Sequence, residues 1–258
     1  MEALAELLEI GEASLVAGIG VFLRIAAAMA VLPAFGEQTL SVRLRLGAAI
    51  ALTLLVAPAV APAFEPAAEL TWPTLLRLLG SETLIGLTFG ILLRLLIHAL
   101  QITGTIAAQS TSLAQLFGGA ATEPLPAIGH LLVVSGLALA AMADLHILVA
   151  RALIESYALL PPGIRPGAGA LAELGIAHIG RAFSLAFTLA APFVIGALVY
   201  NLALGAINRA MPQLMVAFVG APAITGAGLA LLALVAPLAL EVWLDTLRAT
   251  LDDPFGAL

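Results

Sequence analysis

Apolar residues recur along this chain in six long runs, at about residues 13–32, 44–60, 84–100, 128–149, 183–204 and 214–240. Each is close to the roughly 20 apolar residues an α-helix needs to cross the hydrocarbon core of a bilayer. The pattern therefore predicts an all-α membrane protein of about six long hydrophobic helices. The breaks between runs are plain. Pro33-Ala34-Phe35-Gly36 follows the first, Pro58, Pro62 and Pro66 close the second, and Trp72-Pro73 leads into the third. A loop-like stretch opens at Pro161-Pro162-Gly163 and extends to Gly169. It divides a four-helix N-terminal part (residues 1–160) from a C-terminal helical hairpin (182–258), with 161–181 as the connecting loop. Gly220-Ala221-Pro222 and Gly226-x-Gly228 interrupt the last run, which puts the hairpin tip between residues 209 and 226. Residues 1–12 set Leu4, Leu7 and Leu8 against Glu2, Glu6 and Glu9, the pattern of a short amphipathic helix. Their acidic character and the lack of a small-residue cleavage pattern argue against a cleavable signal peptide.

One run carries a polar stripe. Arg94, His98, Gln101, Thr105 and Gln109 follow one another at steps of three and four, which places them on one helix face. Polar atoms facing lipid are costly, so the stripe should face protein or water. It runs on into Ser110-Thr111-Ser112, then Leu116-Phe117-Gly118-Gly119 and Thr122-Glu123-Pro124. Gln101, Thr105, Gln109, Ser110 and Ser112 would make an uncharged, mildly polar wall. Leu113, Leu116 and Phe117 would make an apolar constriction of the kind that gates by dewetting, with Gly118 and Gly119 giving the backbone freedom to move it. The bland reading is a polar seam between helices followed by an ordinary loop.

Composition agrees with the membrane assignment: 62% of residues are apolar and 10% charged, with mean hydropathy +1.13. A soluble domain is nearer half apolar and a quarter charged. There is no cysteine, so neither a disulfide framework nor a thiolate site exists, and no metal site or cofactor is expected. All ten basic residues are arginine and the net charge is -6, with no basic footprint for nucleic acid. Arg77, Arg151, Arg165, Arg181 and Arg248 fall on one expected side of the membrane, and Arg43, Arg45 and Arg209 on the other. That bias puts both termini in the cytoplasm.

Charges inside the runs call for partners. Arg24 lies mid-run, where an unpaired cation costs roughly 2.5–3.5 kcal/mol on insertion scales. It should be paired, cap backbone carbonyls or face another subunit. Arg94 and Asp144 make a candidate ion pair, and the four histidines (His98, His130, His146 and His178) with Asp144 a weak candidate relay. Gly86-Leu87-Thr88-Phe89-Gly90 is a small-xxx-small pattern suited to close helix packing. No catalytic motif is present: His-Glu-x-x-His, Gly-x-Ser-x-Gly and a Gly-rich phosphate loop are all missing. An alternative to a protein-conducting component is a small proton-coupled secondary transporter or permease, which would show matched broken helices in two halves.

Two stretches go further. The first joins Phe22-Leu23-Arg24, Leu32-Pro33-Ala34-Phe35-Gly36-Glu37 and Val42-Arg43-Leu44-Arg45-Leu46. The second is Asn201-Leu202-Ala203-Leu204-Gly205-x-x-Asn208-Arg209-Ala210-Met211-Pro212-Gln213-Leu214, followed by Gly220-x-Pro222 and Gly226-x-Gly228-Leu229. Together, over essentially the whole chain, they resemble the FliR family of flagellar export proteins and its injectisome relatives SpaR, YscT and HrcT. The resemblance implies a subunit of the type III export gate of the bacterial inner membrane, at the flagellar basal body. It implies a helical hetero-oligomer with FliP-like and FliQ-like subunits, beside FlhB-like and FlhA-like proteins, through which unfolded proteins pass. The N-terminal part would be FliP-like and the C-terminal hairpin FliQ-like. A loop at about residues 110–124 would plug the closed pore. Many relatives carry two phenylalanines and an Asp-Pro there, where this chain has Leu116-Phe117 and Glu123-Pro124. Arg24, Arg94, Asp144, Asn208, Arg209 and Pro212 are the expected assembly or buried-charge positions.

Overall fold

The computed structural model describes residues 2–33, 41–67, 71–111, 127–211 and 216–256. The helices are α1 (Glu2–Val31), α2 (Val42–Val60), α3 (Trp72–Thr111), α4 (Ala127–Met142), α5 (Leu145–Leu159), α6 (Ala168–Ala210) and α7 (Val216–Asp252). A 3-10 segment, Ala61–Ala67, continues α2. No strand occurs among the described residues, so the all-α class stands. Within α1, α2, α3, α6 and α7 lie stretches long and apolar enough to cross a membrane, judged by length and composition.

The fourth expected run is not one helix. It breaks after Met142, and Asp144 stands in the left-handed region at φ 57, ψ 38. Aspartate tolerates that conformation better than most residues. Its carbonyl then accepts from Ile147 (2.9 Å) and Leu148 (3.1 Å), which restarts the chain as α5. Elsewhere the helices outrun the apolar runs. Residues 2–12 and the first run form a single helix, α1. The 40 residues of α3 amount to about 60 Å of helical rise, twice the hydrocarbon thickness. Because α6 begins at Ala168, the non-helical connector shrinks to residues 160–167. Although Gly220-Ala221-Pro222 and Gly226-x-Gly228 suggest interruptions, α7 runs through both. Each proline removes a single backbone bond, and the apolar flanks hold the helix together.

Contacts group the chain into two compact units. One comprises Met1–Leu95, Ala141–Ile179 and Leu247–Leu258; the other comprises Leu96–Ala140 and Gly180–Thr246. In the first unit α1 and α3 run parallel and almost touch backbone to backbone. A Cβ on Gly86 would collide with the Arg24 carbonyl, and one on Gly90 would fall 2.6 Å from that of Ala28. One turn further on, Arg94 donates to the Val31 carbonyl at 3.3 Å. The small-xxx-small pattern is thus used inside the chain. In the second unit α3 meets α4 at Gly104 and Gly129, again through the backbone. It meets α6 where Thr103 donates to the Ala186 carbonyl (3.2 Å), and α7 where Trp243 Nε1 donates to the Leu96 carbonyl (2.8 Å). Over their apolar windows 56% of α3 is buried, against 33% of α6 and 28% of α7. The third helix is thus the most buried of these three, and the last two leave apolar faces exposed.

Candidate functional site

Two polar regions lie along α3, and they are built differently. The first is a buried ion pair in the first unit. Arg24 Nε donates to Glu82 Oε2 at 2.7 Å, and both side chains are fully buried. The remaining Arg24 donors go to Ser156 Oγ (2.8 Å) and the Leu160 carbonyl (2.9 Å), while the guanidinium carbon stands 3.6 Å from the Tyr157 ring centre. On the acid side, Glu82 Oε1 accepts from the Gly163 amide (3.1 Å) and Ser81 Oγ (3.2 Å). Arg24 therefore both finds a counter-ion and caps the end of α5. Glu82 holds the first turn of the connector. Together they satisfy backbone groups that an irregular segment would otherwise leave bare in an apolar setting. Gly86 makes the approach possible, because any side chain there would push α1 and its arginine away.

The second region is the polar stripe. His98 Nδ1 and Gln101 Oε1 stand 2.7 Å apart, Thr105 Oγ1 donates to the Gln101 carbonyl (2.9 Å), and Ser110 Oγ donates to the Ala107 carbonyl (2.9 Å). Those hydroxyl bonds are local and leave the groups' outward capacity free. Gln101 and Thr105 are half-buried and Gln109 is exposed. Between them, Thr103 and Gly104 are buried. One edge of α3 is thus packed while the other carries uncharged polar groups at the surface of the chain. The contact of Gly104 with Gly129 sits beside Gln101 and Thr105. It clamps the end of α3 to the start of α4.

The other sequence-derived positions scatter. Arg94 is half-buried on the Val31 carbonyl and Asp144 is exposed, so no Arg94–Asp144 ion pair forms among the described residues. Two facts explain this: Asp144 serves the helix break, and Arg94 caps the end of α1. Asn208 and Arg209 are exposed near the end of α6. Arg209 also lines an open cleft of about 610 Å³ with Asn201, Leu202, Gly205, Ala206 and Ala210. Leu113, Leu116, Phe117, Gly118, Gly119 and Pro212 lie outside the described residues. No cluster of metal-ligating side chains occurs among the described residues.

Sequence reasoning overlooked Glu82, Ser156, Tyr157, Thr103, Trp243 and the Gly104–Gly129 contact. A signal for Glu82 was present: it is the sole acid between Glu69 and Glu123. Starting the third apolar run at Leu84 left it just outside.

The fold and these two regions define a membrane-embedded, all-helical protein whose buried polar groups serve helix packing. Its family follows from sequence comparison. The chain belongs to the bacterial export proteins, family 1, whose model matches residues 15–250. It is 34% identical over 238 residues to the flagellar biosynthetic protein FliR of Caulobacter vibrioides, covering 90% of this chain and 93% of that one. The protein of the same name from Pectobacterium carotovorum is 30% identical over 227 residues (84% and 83%), and that of Escherichia coli 27% over 226 residues (84% and 82%). Membership makes the chain a component of bacterial export, not an enzyme.

Proposed function

We propose that this chain is a subunit of the flagellar type III protein export gate in the bacterial inner membrane, and that the outer edge of α3 lines its passage. Unfolded substrates cannot be recognised by sequence, so the wall must be polar, uncharged and indifferent to what passes. Gln101, Thr105 and Gln109 meet that need. The observation that carries the reading is their position. They remain partly uncovered on a mostly buried helix, and they lead directly into residues 112–126. That segment, with Leu113, Leu116 and Phe117 between Gln109 and the glycine pair, acts as the plug of the closed state. FliP-like and FliQ-like subunits complete the wall and cover the apolar faces of α6 and α7, with FlhB-like and FlhA-like proteins beside them.

A permease would need matched breaks in two halves. The break at Asp144 has no counterpart in α6 or α7, both continuous, so the permease reading gains no support.

Deletion of residues 116–119 tests the proposal. Cells carrying it should leak small ions through assembled gates and grow poorly at raised external salt. Ion permeability equal to that of the wild type, with normal gate assembly, would remove the plug from the account.

A further inference from the structure

Two arginines close to the buried ion pair take no part in it. Arg77, in the second turn of α3, lies over Gly163 of the connector, where a Cβ would stand 3.1 Å from Arg77 Nε. Arg165, in the connector, lies back over Gly80 of α3, where a Cβ would stand 2.5 Å from Arg165 Nη2. The crossing is reciprocal. A side chain at Gly80 would displace the guanidinium, and Gly163 has φ 77, the left-handed backbone that favours glycine.

Among the described residues no counter-ion pairs with these cations. The Glu82 carboxylate is engaged by Arg24, Gly163 and Ser81. No carboxylate lies within 4.0 Å of either guanidinium among the described residues, and both arginines are exposed. Two exposed like charges therefore stand where α3 and the connector cross. The same end of α3 is apolar and open: Trp72 is 81% exposed, and Leu76 and Leu79 are exposed with it, as is Ile164 beside Arg165. Tryptophan, arginine and aliphatic side chains at the first turns of a span match the headgroup level of a bilayer.

We propose that Arg77 and Arg165 bind the phosphate of an anionic phospholipid seated against the exposed Trp72, Leu76 and Leu79. Each guanidinium offers a planar fork to phosphate oxygens, and the apolar strip gives the lipid a surface that a free anion would not use. The site rests only on the membrane location of the chain.

The two tryptophans make a direct test possible. Trp72 is exposed and Trp243 is buried, so the W72F variant reports the Trp243 signal alone, which is subtracted to leave that of Trp72. The full chain is placed in nanodiscs of equal phosphatidylglycerol and phosphatidylcholine, with one lipid or the other brominated as a quencher. Brominated phosphatidylglycerol should quench Trp72 preferentially. Near a membrane surface one arginine strengthens anionic-lipid association about fivefold. The preference should therefore fall by about that factor in each of R77Q and R165Q, and vanish in R77Q/R165Q. It should survive in R43Q. Circular dichroism confirms insertion, and the single variants carry the test if the double variant does not fold. Equal quenching by the two lipids in the wild type would overturn the proposal, as would a preference unchanged in R77Q and R165Q. Loss of the preference on adding inorganic phosphate would assign the pair to a free anion and refute the lipid site.

Discussion

The two polar regions of α3 are treated in opposite ways by the rest of the chain. Around Glu82 each ionic group has its partners: Arg24, Ser156, Gly163 and the Leu160 carbonyl form a closed set, sealed under Tyr157. From His98 to Gln109 the side chains bond mostly to their own helix and keep a face uncovered. Hydrophobicity of the surrounding sequence is similar in the two places. The difference is what packs against the helix. A polar group that shapes the fold is enclosed and matched, because an unmatched one costs several kcal/mol in an apolar interior. The groups of the stripe are left partly open. The Tyr157 hydroxyl is the exception in the closed set, being buried without a hydrogen-bond partner among the described residues.

The largest effect should come from opening the closed set. R24L leaves the Glu82 carboxylate buried and unpaired, which costs on the order of 3–5 kcal/mol. Recovery of the assembled gate by pull-down should collapse. The double variant R24L/E82L removes both charges and should recover part of that loss, since two apolar side chains can replace a buried ion pair with little net cost. Equal recovery of R24L and wild type would show that the closed set does not hold the fold.

An intermediate effect is expected at the contact between α3 and α4. G104V places a branched side chain against the Gly129 backbone and must part the end of α3 from the start of α4. Assembly should persist while closed-state ion leak rises. A G104V gate as tight as the wild type would separate the α3–α4 contact from gating. The smallest effect belongs to the exposed Arg151–Glu155 pair, whose atoms stand 2.8 Å apart one helical turn from each other. E155Q should leave both assembly and export within error, because solvent screens such pairs.

How far the sequence reveals this comparison depends on the kind of signal. The all-α membrane class and the spacing of the stripe are legible because hydropathy and helical period are local properties. Helix ends are less so. Threonine and serine bond back to their own helix in α3, as Thr105 does to Gln101, so polar residues there extend the helix instead of ending it. Asp144 works the other way, breaking a run that hydropathy alone reads as continuous. Partners of buried charges are least legible. Arg24 announces the need for one, but Glu82 is 58 positions away and becomes its partner only when α1 and α3 pack in parallel through Gly86 and Gly90. The Arg94–Asp144 expectation failed for the same reason. Pairing two charges by position along neighbouring runs ignores the backbone carbonyl at the end of α1.

The chain contains no cysteine, so single cysteines can be read without background. The central test places one each at Gln101, Thr105 and Gln109, with buried Ala99 and Ala107 as controls, in otherwise native gates in cell membranes. A small charged thiol reagent is applied with the plug intact and with residues 116–119 deleted. Lining of an aqueous passage predicts that positions 101, 105 and 109 react, faster once the plug is gone, while 99 and 107 stay silent. If 101, 105 and 109 are as unreactive as the buried controls in both backgrounds, the outer edge of α3 is dry and does not line the passage.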